Sequence, residues 1–262
     1  MKIQLVLLGS IATSILAAGS ASAGLVDYST DFTSADGFSD GTSADNIDGW
    51  ETRAQHITSA TASYGAMELN SNGGAMVHAG SGGSWNVGDT IKLTVDVFYT
   101  GNTQNNRLRI GLRETATATG LPNAGVEFNM DATASGNFDI NGVATGGSHT
   151  FGAAIDSGLD VVFGQANGET FITTFTKSAT ANVIDVDWSF RSGASSGSFT
   201  VTNATLYADA DVFGAMGYNG PVGGEAQVDS FTLDYTAAIP EPTSALLLLG
   251  GLGMVSMLRR RK

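Results

Sequence analysis

Acidic side chains are the residues of this sequence whose spacing most readily suggests chemistry. Asp36, Asp40, Asp45 and Asp48 lie within 13 residues and are interspersed with glycines. Calcium takes about six to eight oxygen ligands from flexible loops, so this stretch is a candidate structural calcium site. The spacing does not match an EF-hand, and Asp-Gly pairs are also ordinary turn residues. A turn without an ion is the alternative interpretation.

Two pairs of carboxylates share a strand face by parity, as glycoside hydrolysis would require. Asp185 and Asp187 form one pair, and Glu127 and Asp131 form the other. Acidic residues are also expected on solvated strand faces in a region that contains 24 of them. We therefore predict no catalytic residue and a non-catalytic protein. A polysaccharide hydrolase or lyase is the alternative.

The remaining residues that are typical of catalytic or metal sites do not form a complete motif. His56, His78 and His149 lie far apart and show no metal-ligand spacing, so we interpret them as surface or loop residues. Gly193–Gly197 matches a nucleophile elbow, a motif that needs a strand before it and a helix after it. A strand-like segment follows it instead, which argues against catalysis at Ser195. Cysteine is absent, so thiol chemistry and thiolate metal sites are excluded.

Three arginines form a row on one predicted strand face. Arg107, Arg109 and Arg113 occupy positions i, i+2 and i+6. Such a row could bind acidic sugars through bidentate hydrogen bonds. Cross-strand pairing with acids such as Asp96 or Glu127 is the interpretation that we favour.

Tryptophans are the candidate residues for stacking against a sugar ring. Trp188 shares its face with Ile184 and Val186, so we predict it in the core. Trp85 lies in a glycine-rich loop and is a candidate exposed ligand contact. The loop tips of a sandwich are where binding residues concentrate.

Alternation of apolar and polar residues predicts the strands that must position these side chains. The clearest segments are residues 91–99, 107–113, 126–131, 184–190 and 231–235. Asn141-Gly142 has the composition of a hairpin turn, and no central segment shows helical periodicity. Strands at this spacing are typical of an antiparallel sandwich.

The two ends of the central region look paired. Tyr28–Phe38 opens it and Gln227–Tyr235 closes it, with Asp48-Gly49-Trp50 early and Val87–Thr90 leading into a strand. This arrangement resembles the jelly-roll sandwiches of lectin-like and carbohydrate-binding modules. The resemblance implies an all-β fold, with a single antiparallel, jelly-roll-like β-sandwich over residues 24–238.

The charge of the central region restricts its partners. It contains 24 acidic and 7 basic side chains, a net charge of −17. Such a surface repels nucleic acid, which excludes that class of partner. No disulfide is available, so stability must come from burial.

The N-terminus has the pattern of an export signal. Residues 1–23 contain Lys2, an apolar run and the small residues Ala21-Ser22-Ala23. This pattern predicts a secretory signal peptide that is cleaved before Gly24. An uncleaved N-terminal anchor is the alternative.

The C-terminus combines three features in order. Pro240-Glu241-Pro242 precedes the uncharged residues 243–258, and Arg259, Arg260, Arg261 and a lysine follow. As a helix the uncharged run is about 24 Å long. That is short of a bilayer core of about 30 Å, but the flanking arginines can snorkel to the headgroups. The terminal cations mark the cytoplasmic side, so the rest of the chain lies outside the cytoplasm.

This three-part order resembles the PEP-CTERM sorting signal of Gram-negative bacterial surface proteins. The resemblance implies that exosortase, a membrane-embedded cysteine protease, recognises Pro240, Glu241 and Pro242 and removes the transmembrane helix. A retained membrane anchor is the alternative. We therefore expect residues 239–262 to anchor a precursor in the inner membrane. The product would be a cell-surface or extracellular-matrix protein that binds or forms part of exopolysaccharide, with no cofactor besides the candidate calcium.

Overall fold

The computed structural model describes fourteen stretches of the chain. They are residues 25–53, 55–61, 64–69, 74–99, 106–116, 122, 124–131, 137–144, 147–150, 169–190, 195–202, 204–208, 211–219 and 226–238. The expected signal peptide at 1–23 and sorting signal at 239–262 lie outside the described residues. Among those that are described, no helix is long and apolar enough to cross a bilayer.

Strands dominate the described chain. They are β1 (Tyr28–Thr30), β2 (Trp50–Arg53), β3 (Gln55–Thr61), β4 (Tyr64–Leu69), β5 (Gly74–His78), β6 (Thr90–Tyr99), β7 (Asn106–Arg113), β8 (Ala124–Asp131), β9 (Asn137–Ala144), β10 (Gly147–Thr150), β11 (Glu169–Lys177), β12 (Val183–Phe190), β13 (Ser195–Thr202), β14 (Phe213–Asn219) and β15 (Ala226–Thr236). The described helical segments are short: 3₁₀ turns at Ser34–Asp36 and Ala79–Ser81, and α1 (Ala204–Tyr207). The prediction of an all-β fold is confirmed.

The strands form two antiparallel sheets. Sheet I has the order β13-β12-β11-β6-β15-β4-β3, with β1 also paired to β15. Sheet II has the order β10-β9-β8-β7-β14-β5-β2. The pairing of β1 with β15 confirms that the two ends of the domain lie together, with Tyr28 opposite Leu233.

The core lies between the two sheets. Ile91, Leu93, Val95 and Val97 of β6 are buried, whereas the residues between them are half-exposed. A Cβ atom on Gly214 of sheet II would lie 2.8 Å from the Leu233 side chain of sheet I, so the sheets pack closely. This packing confirms the predicted sandwich, and the period-two alternation follows from it.

One sequence interpretation fails in the strands, and another is confirmed. Asn141-Gly142, expected to form a turn, lies inside β9, where Asn141 pairs with Glu127 and Thr150. Pairing with neighbouring strands outweighs the local turn signal there. Ser195 begins β13 and pairs with Phe190, so a strand follows the elbow-like stretch, as the sequence predicted.

Candidate functional site

The outward side of sheet I carries a broad array of hydroxyl and carboxylate groups, which we call the polar face. It is formed by strands β1, β6, β11, β12, β13 and β15. Its serines, threonines and aspartates are Ser29, Thr90, Thr94, Asp96, Thr170, Thr174, Thr176, Asp185, Asp187, Ser189, Ser196, Ser198, Thr200, Thr202, Ser230, Thr232, Asp234 and Thr236. Each of these residues is exposed or half-exposed.

Strand register aligns these side chains in rows across the sheet. Asp187 lies opposite Ser198 on one side and Thr174 on the other, and Thr174 lies opposite Lys92. Lys92 in turn lies opposite Asp234, and its ammonium group is 3.6 Å from the Asp234 carboxylate. Threonine suits such positions because its branched side chain fits the pleated surface. The rows therefore follow from the pairing of distant segments.

A β-bulge in β15 places a group of carboxylates beside the polar face. The register of β15 against β6 shifts between Val228 and Ser230, so Asp229 lies at the bulge. Burial raises the pKa of Asp229 above its ordinary value, and the negative charges of Asp96 and Asp31 raise that pKa further. A bulge can redirect a side chain in this way. We call Asp31, Asp96 and Asp229 the carboxylate trio.

Asp96 links the trio to the polar face. Its carboxylate accepts hydrogen bonds from the Thr170 hydroxyl at 2.5 Å and from the Ser230 hydroxyl at 2.7 Å. These contacts orient the hydroxyls of β11 and β15 on either side of β6. The array can exchange many hydrogen bonds with a ligand rich in hydroxyl groups, because hydroxyls donate and accept and carboxylates accept.

The loop of four aspartates is organised by contacts inside the protein. Tyr28 donates a hydrogen bond of 2.6 Å to the Asp48 carboxylate, and the Trp50 indole donates one of 2.9 Å to the Tyr28 hydroxyl. The His78 ring stacks on Tyr28 with 3.4 Å between ring centroids. Asp48 has a φ of 48°, a left-handed conformation that is uncommon for a residue other than glycine.

The other aspartates of this loop have separate partners. Asp45 accepts hydrogen bonds from the Thr52 backbone and the Asn46 side chain. Asp36 accepts one from the Thr33 hydroxyl, whereas Asp40 is exposed. Within the part of the chain that the structure describes, no three acidic or histidine side chains form a metal-binding group. The structure does not bring the four aspartates together, and calcium binding here stays a prediction.

His78 is not the surface or loop residue that we expected. It is buried at the end of β5, where it contacts Tyr28 and Trp50. Its Nε2 atom lies 2.9 Å from the Asp48 carbonyl oxygen. Burial lowers the pKa of His78, although the nearby Asp48 partly opposes that change. The side chains of His56 and His149 lie outside the described set.

The expectation that Trp85 is exposed is wrong. Its side chain is 0% exposed, and its indole donates a hydrogen bond of 3.0 Å to the Leu206 carbonyl. The buried ammonium group of Lys177 donates to the Trp85 carbonyl at 3.0 Å. The glycines near Trp85 signalled a loop, but the loop is packed under α1. Trp85 therefore presents no ring to solvent for a sugar to stack on.

The three arginines do not form one exposed row. Arg113 is only 7% exposed, and burial lowers its pKa. The Arg109 guanidinium donates to the Pro122 carbonyl at 3.4 Å, and its backbone pairs with Glu127 in β8. Asp96, which we proposed as a pairing partner, lies in the other sheet. Arg107 pairs with Asn129 through its strand, and its side chain is outside the described set.

Sequence reasoning missed the carboxylate trio. Its members are separated by 65 residues between Asp31 and Asp96 and by 133 between Asp96 and Asp229. No local spacing could have joined them. The one available signal was the alternation of β6 and β15, which places Asp96 outward, and the bulge interrupts that alternation in β15.

The fold and site define an acidic, all-β sandwich with a hydroxyl-rich outer face. Residues 238–262 match the PEP-CTERM protein-sorting motif. This interval contains Pro240, Glu241 and Pro242 and the arginines at 259–261. The motif indicates an exported protein with a membrane-anchored precursor that reaches the cell surface, and it implies processing by exosortase.

The chain is also similar to several solved structures. They include the lectin UEA-II complexed with galactose, at 11% identity, covering 80% of this chain and 98% of that one, with a TM-score of 0.48. Arcelin-5, a lectin-like defence protein from Phaseolus vulgaris, has 9% identity, 82% and 100% coverage and a TM-score of 0.46. Peanut lectin with a nine-residue peptide has 11% identity, 83% and 100% coverage and a TM-score of 0.45. The sequence matches none of the curated proteins with which it was compared.

Proposed function

We propose that this protein is a non-catalytic surface or matrix protein of a Gram-negative bacterium that binds extracellular polysaccharide through the polar face. One observation carries the proposal: serine, threonine and aspartate side chains cover six paired strands, and none of these residues is buried. The sorting motif supports the proposal because it indicates export to the cell surface, where extracellular polysaccharide would be within reach of this face.

The charge of the polar face favours a neutral polysaccharide. Asp96, Asp185, Asp187 and Asp234 lie on this face, and Lys92 is the cation among its described side chains. A uronate or sulfate chain would meet a surface of its own sign, which opposes association. Neutral sugar hydroxyls can instead donate to the carboxylates and exchange hydrogen bonds with Ser and Thr. A neutral polysaccharide on the polar face therefore takes the place of acidic sugars bound by Arg107, Arg109 and Arg113.

The chemistry of the face also favours a polymer over a single sugar. A typical hydrogen bond contributes only about 0.5–1.5 kcal/mol net, because water is displaced on both sides. The serines, threonines and aspartates of the polar face carry no aromatic ring, so their contribution to affinity depends on hydrogen bonds. A polymer that contacts several rows at once gains affinity through effective concentration. We expect weak binding to short oligosaccharides and retention by long chains.

Affinity electrophoresis of the mature protein tests this function. Gels containing the host's own exopolysaccharide should retard the protein. Thr94→Val/Thr174→Val keeps the branched shape of both side chains and removes two hydroxyls from the polar face. Thr94→Ser/Thr174→Ser is the matched control, because it keeps the hydroxyls. Retardation should fall at least twofold in the valine variant only, and equal retardation of both variants and wild type would exclude the polar face.

The carboxylate trio supports glycan hydrolysis as a second candidate. A carboxyl group with a raised pKa beside an ionised carboxylate is the pattern of a general acid, and hydrolysis needs the two groups about 5–10 Å apart. Asp229 fits the acid, because burial and the charges of Asp96 and Asp31 raise its pKa, and Asp96 is the neighbouring carboxylate. The assay is release of reducing ends from the same polysaccharide. Release that Asp229→Asn abolishes would support hydrolysis, whereas no release by wild type supports the binding function.

A further inference from the structure

The chain leaves the sandwich at a firmly held point, which we call the exit end. It comprises residues 25–27, 86–89, 177–182 and 236–238. The buried carboxylate of Asp89 accepts hydrogen bonds from the Ala238 backbone at 2.7 Å and the Tyr235 hydroxyl at 2.5 Å. Asp27 accepts one from the Tyr235 backbone at 2.7 Å. Hydrogen bonds therefore hold the chain up to Ala238, where the match to the sorting motif begins.

The covalent chain keeps this end close to the membrane in the precursor. Five residue steps separate Ala238 from Thr243, the first residue of the uncharged run. Fully extended, five steps span at most about 18 Å. The headgroup layer on each side of a bilayer is about 5–8 Å thick, the difference between its total and hydrocarbon thickness. The exit end thus lies within about 13 Å of the headgroups whenever the run spans the bilayer.

The surface of the exit end differs from the rest of this acidic protein. Val26 is 57% exposed and Val87 is 51% exposed, and these are the exposed large apolar side chains among the described residues. Val26 adjoins Asp27, and Val87 lies in the turn that holds Ala238. Asp27 is the exposed charge within the exit end, because Asp89 and Lys177 are buried.

The turn between β11 and β12 completes this weakly charged surface. Residues 178–182 are Ser-Ala-Thr-Ala-Asn and carry no charge. The Lys177 backbone donates to the Asp89 carbonyl, and the Gly88 backbone donates to the Lys177 carbonyl, so this turn lies beside Val87. A surface with few charges and exposed valines suits the headgroup interface, where a strongly acidic surface would be repelled by anionic lipid.

We propose that, in the precursor, the exit end rests on the non-cytoplasmic surface of the bilayer that holds the sorting segment, with Val26 and Val87 in the headgroup interface. Residues 26, 87 and 178–182 then face lipid together. The strands β6, β11, β12 and β15 all have one end at this surface, so they point away from the membrane. Sheet I stands upright, and its polar face stays open to polysaccharide before the sorting segment is removed.

Site-specific fluorescence tests the contact, since the chain has no cysteine to interfere with labelling. The precursor, with its sorting segment, is reconstituted in phosphatidylethanolamine–phosphatidylglycerol vesicles that contain headgroup-nitroxide lipid. One dye is attached at Ala181→Cys in the exit end. The other is attached at Ser196→Cys, an exposed residue of β13 six positions before Thr202, about 20 Å along the strand. Quenching at 181 should exceed quenching at 196 at least threefold.

A pair of variants separates lipid contact from mere tethering. Val26→Asp/Val87→Asp adds charge to the interface, whereas Val26→Thr/Val87→Thr keeps the shape without charge. Quenching of the dye at 181 should fall at least twofold in the aspartate variant and stay near wild type in the threonine variant. Equal quenching at 181 and 196, or quenching unaffected by the aspartates, would overturn the proposal.

Two further outcomes also reject it. Quenching at 181 that occurs only when the processing protease is present would assign the exit end to a protein partner. A precursor that fails to sediment with vesicles would reject the anchored state itself. Neither outcome bears on binding of polysaccharide by the mature protein, so failure here and failure of the proposed function are distinguishable.

Discussion

The hydrogen bonds of Asp89 lead to the most quantitative prediction about this protein. The carboxylate accepts the Asn86 backbone and Ala238 backbone at 2.7 Å each, in addition to the Tyr235 hydroxyl at 2.5 Å. Asp89 is only 2% exposed. In Asp89→Asn, one oxygen becomes an amide that faces donors. At least one hydrogen bond to a charged acceptor is lost, and such bonds contribute about 1.5–3 kcal/mol each.

We therefore expect Asp89→Asn to lower the free energy of unfolding by about 2–4 kcal/mol, once the unsatisfied donor is included. For a domain of this size that corresponds to a fall in Tm of about 4–16 °C. Urea denaturation of the mature protein measures the change. Asp27→Asn is the control, because its carboxylate is exposed and an amide oxygen can still accept the Tyr235 backbone. A loss for Asp89→Asn no larger than for Asp27→Asn would refute the assigned role of Asp89.

The Asp89 carboxylate also predicts that the free energy of unfolding depends on pH. Burial by itself raises the pKa of Asp89, but hydrogen bonds from Tyr235, Ala238 and Asn86 outweigh it and hold the pKa below 3.8. The folded state therefore prefers the ionised form. The stability that ionised Asp89 contributes is complete well above pH 3.8 and is lost as the pH falls through the lower pKa of the folded state. The stability difference between wild type and Asp89→Asn should shrink below about pH 4.

Three further substitutions follow from burial and charge. Because burial lowers the pKa of His78, folding should weaken as the pH falls below about 6.5, and His78→Phe should reduce this loss in urea titrations between pH 7 and 5. Gly214→Ala should cost about 1–3 kcal/mol in urea unfolding, since its Cβ would lie 2.8 Å from Leu233 Cδ1. Asp229→Asn should raise the Tm at pH 7, because Asp96 and burial disfavour the charge of Asp229.

Each of these has an outcome that contradicts it. A pH dependence that is unchanged in His78→Phe would assign the loss to other groups. An unchanged urea midpoint in Gly214→Ala would mean that the two sheets can move apart at residue 214 without loss of stability. For Asp229→Asn, an unchanged or lower Tm at pH 7 would contradict the unfavourable charge, and Asp234→Asn, on the same strand, provides the control.

Local patterns predicted much of sheet I and the strands of sheet II that carry clear alternation. Residues 91–97 and 231–235 alternate without interruption because one side of each strand faces the core. The stretch that contains β2 to β5 gave no comparable signal, since its strands are short and rich in small and polar residues. Asn141-Gly142 predicted a turn that does not form. The turn propensity of this dipeptide is a local property, whereas its pairing with β8 and β10 depends on other segments of the chain.

Exposure could not be predicted for the residues that mattered most to the site. Tryptophan and arginine are residue types that bind ligands, so Trp85 and Arg113 suggested ligand contacts. Both side chains are buried, and the segments that bury them are distant in the sequence or lie beyond a turn. Trp85 is covered by α1, more than a hundred residues away, through its hydrogen bond to Leu206. A side chain's burial is a property of the whole packing, and no single stretch specifies it.

The sequence by itself determined the acidic charge, the helix-poor sandwich and the sorting motif, because composition, period-two alternation and short linear motifs are all local. Tertiary structure alone decided what lies together: the trio of Asp31, Asp96 and Asp229, the rows of the polar face, and the hydrogen bonds that join Asp89 to Tyr235 and Ala238 at the exit end. Those groupings depend on strand register and on one bulge. A shift of a single residue in strand register would move every side chain of the polar face to the opposite side of the sheet.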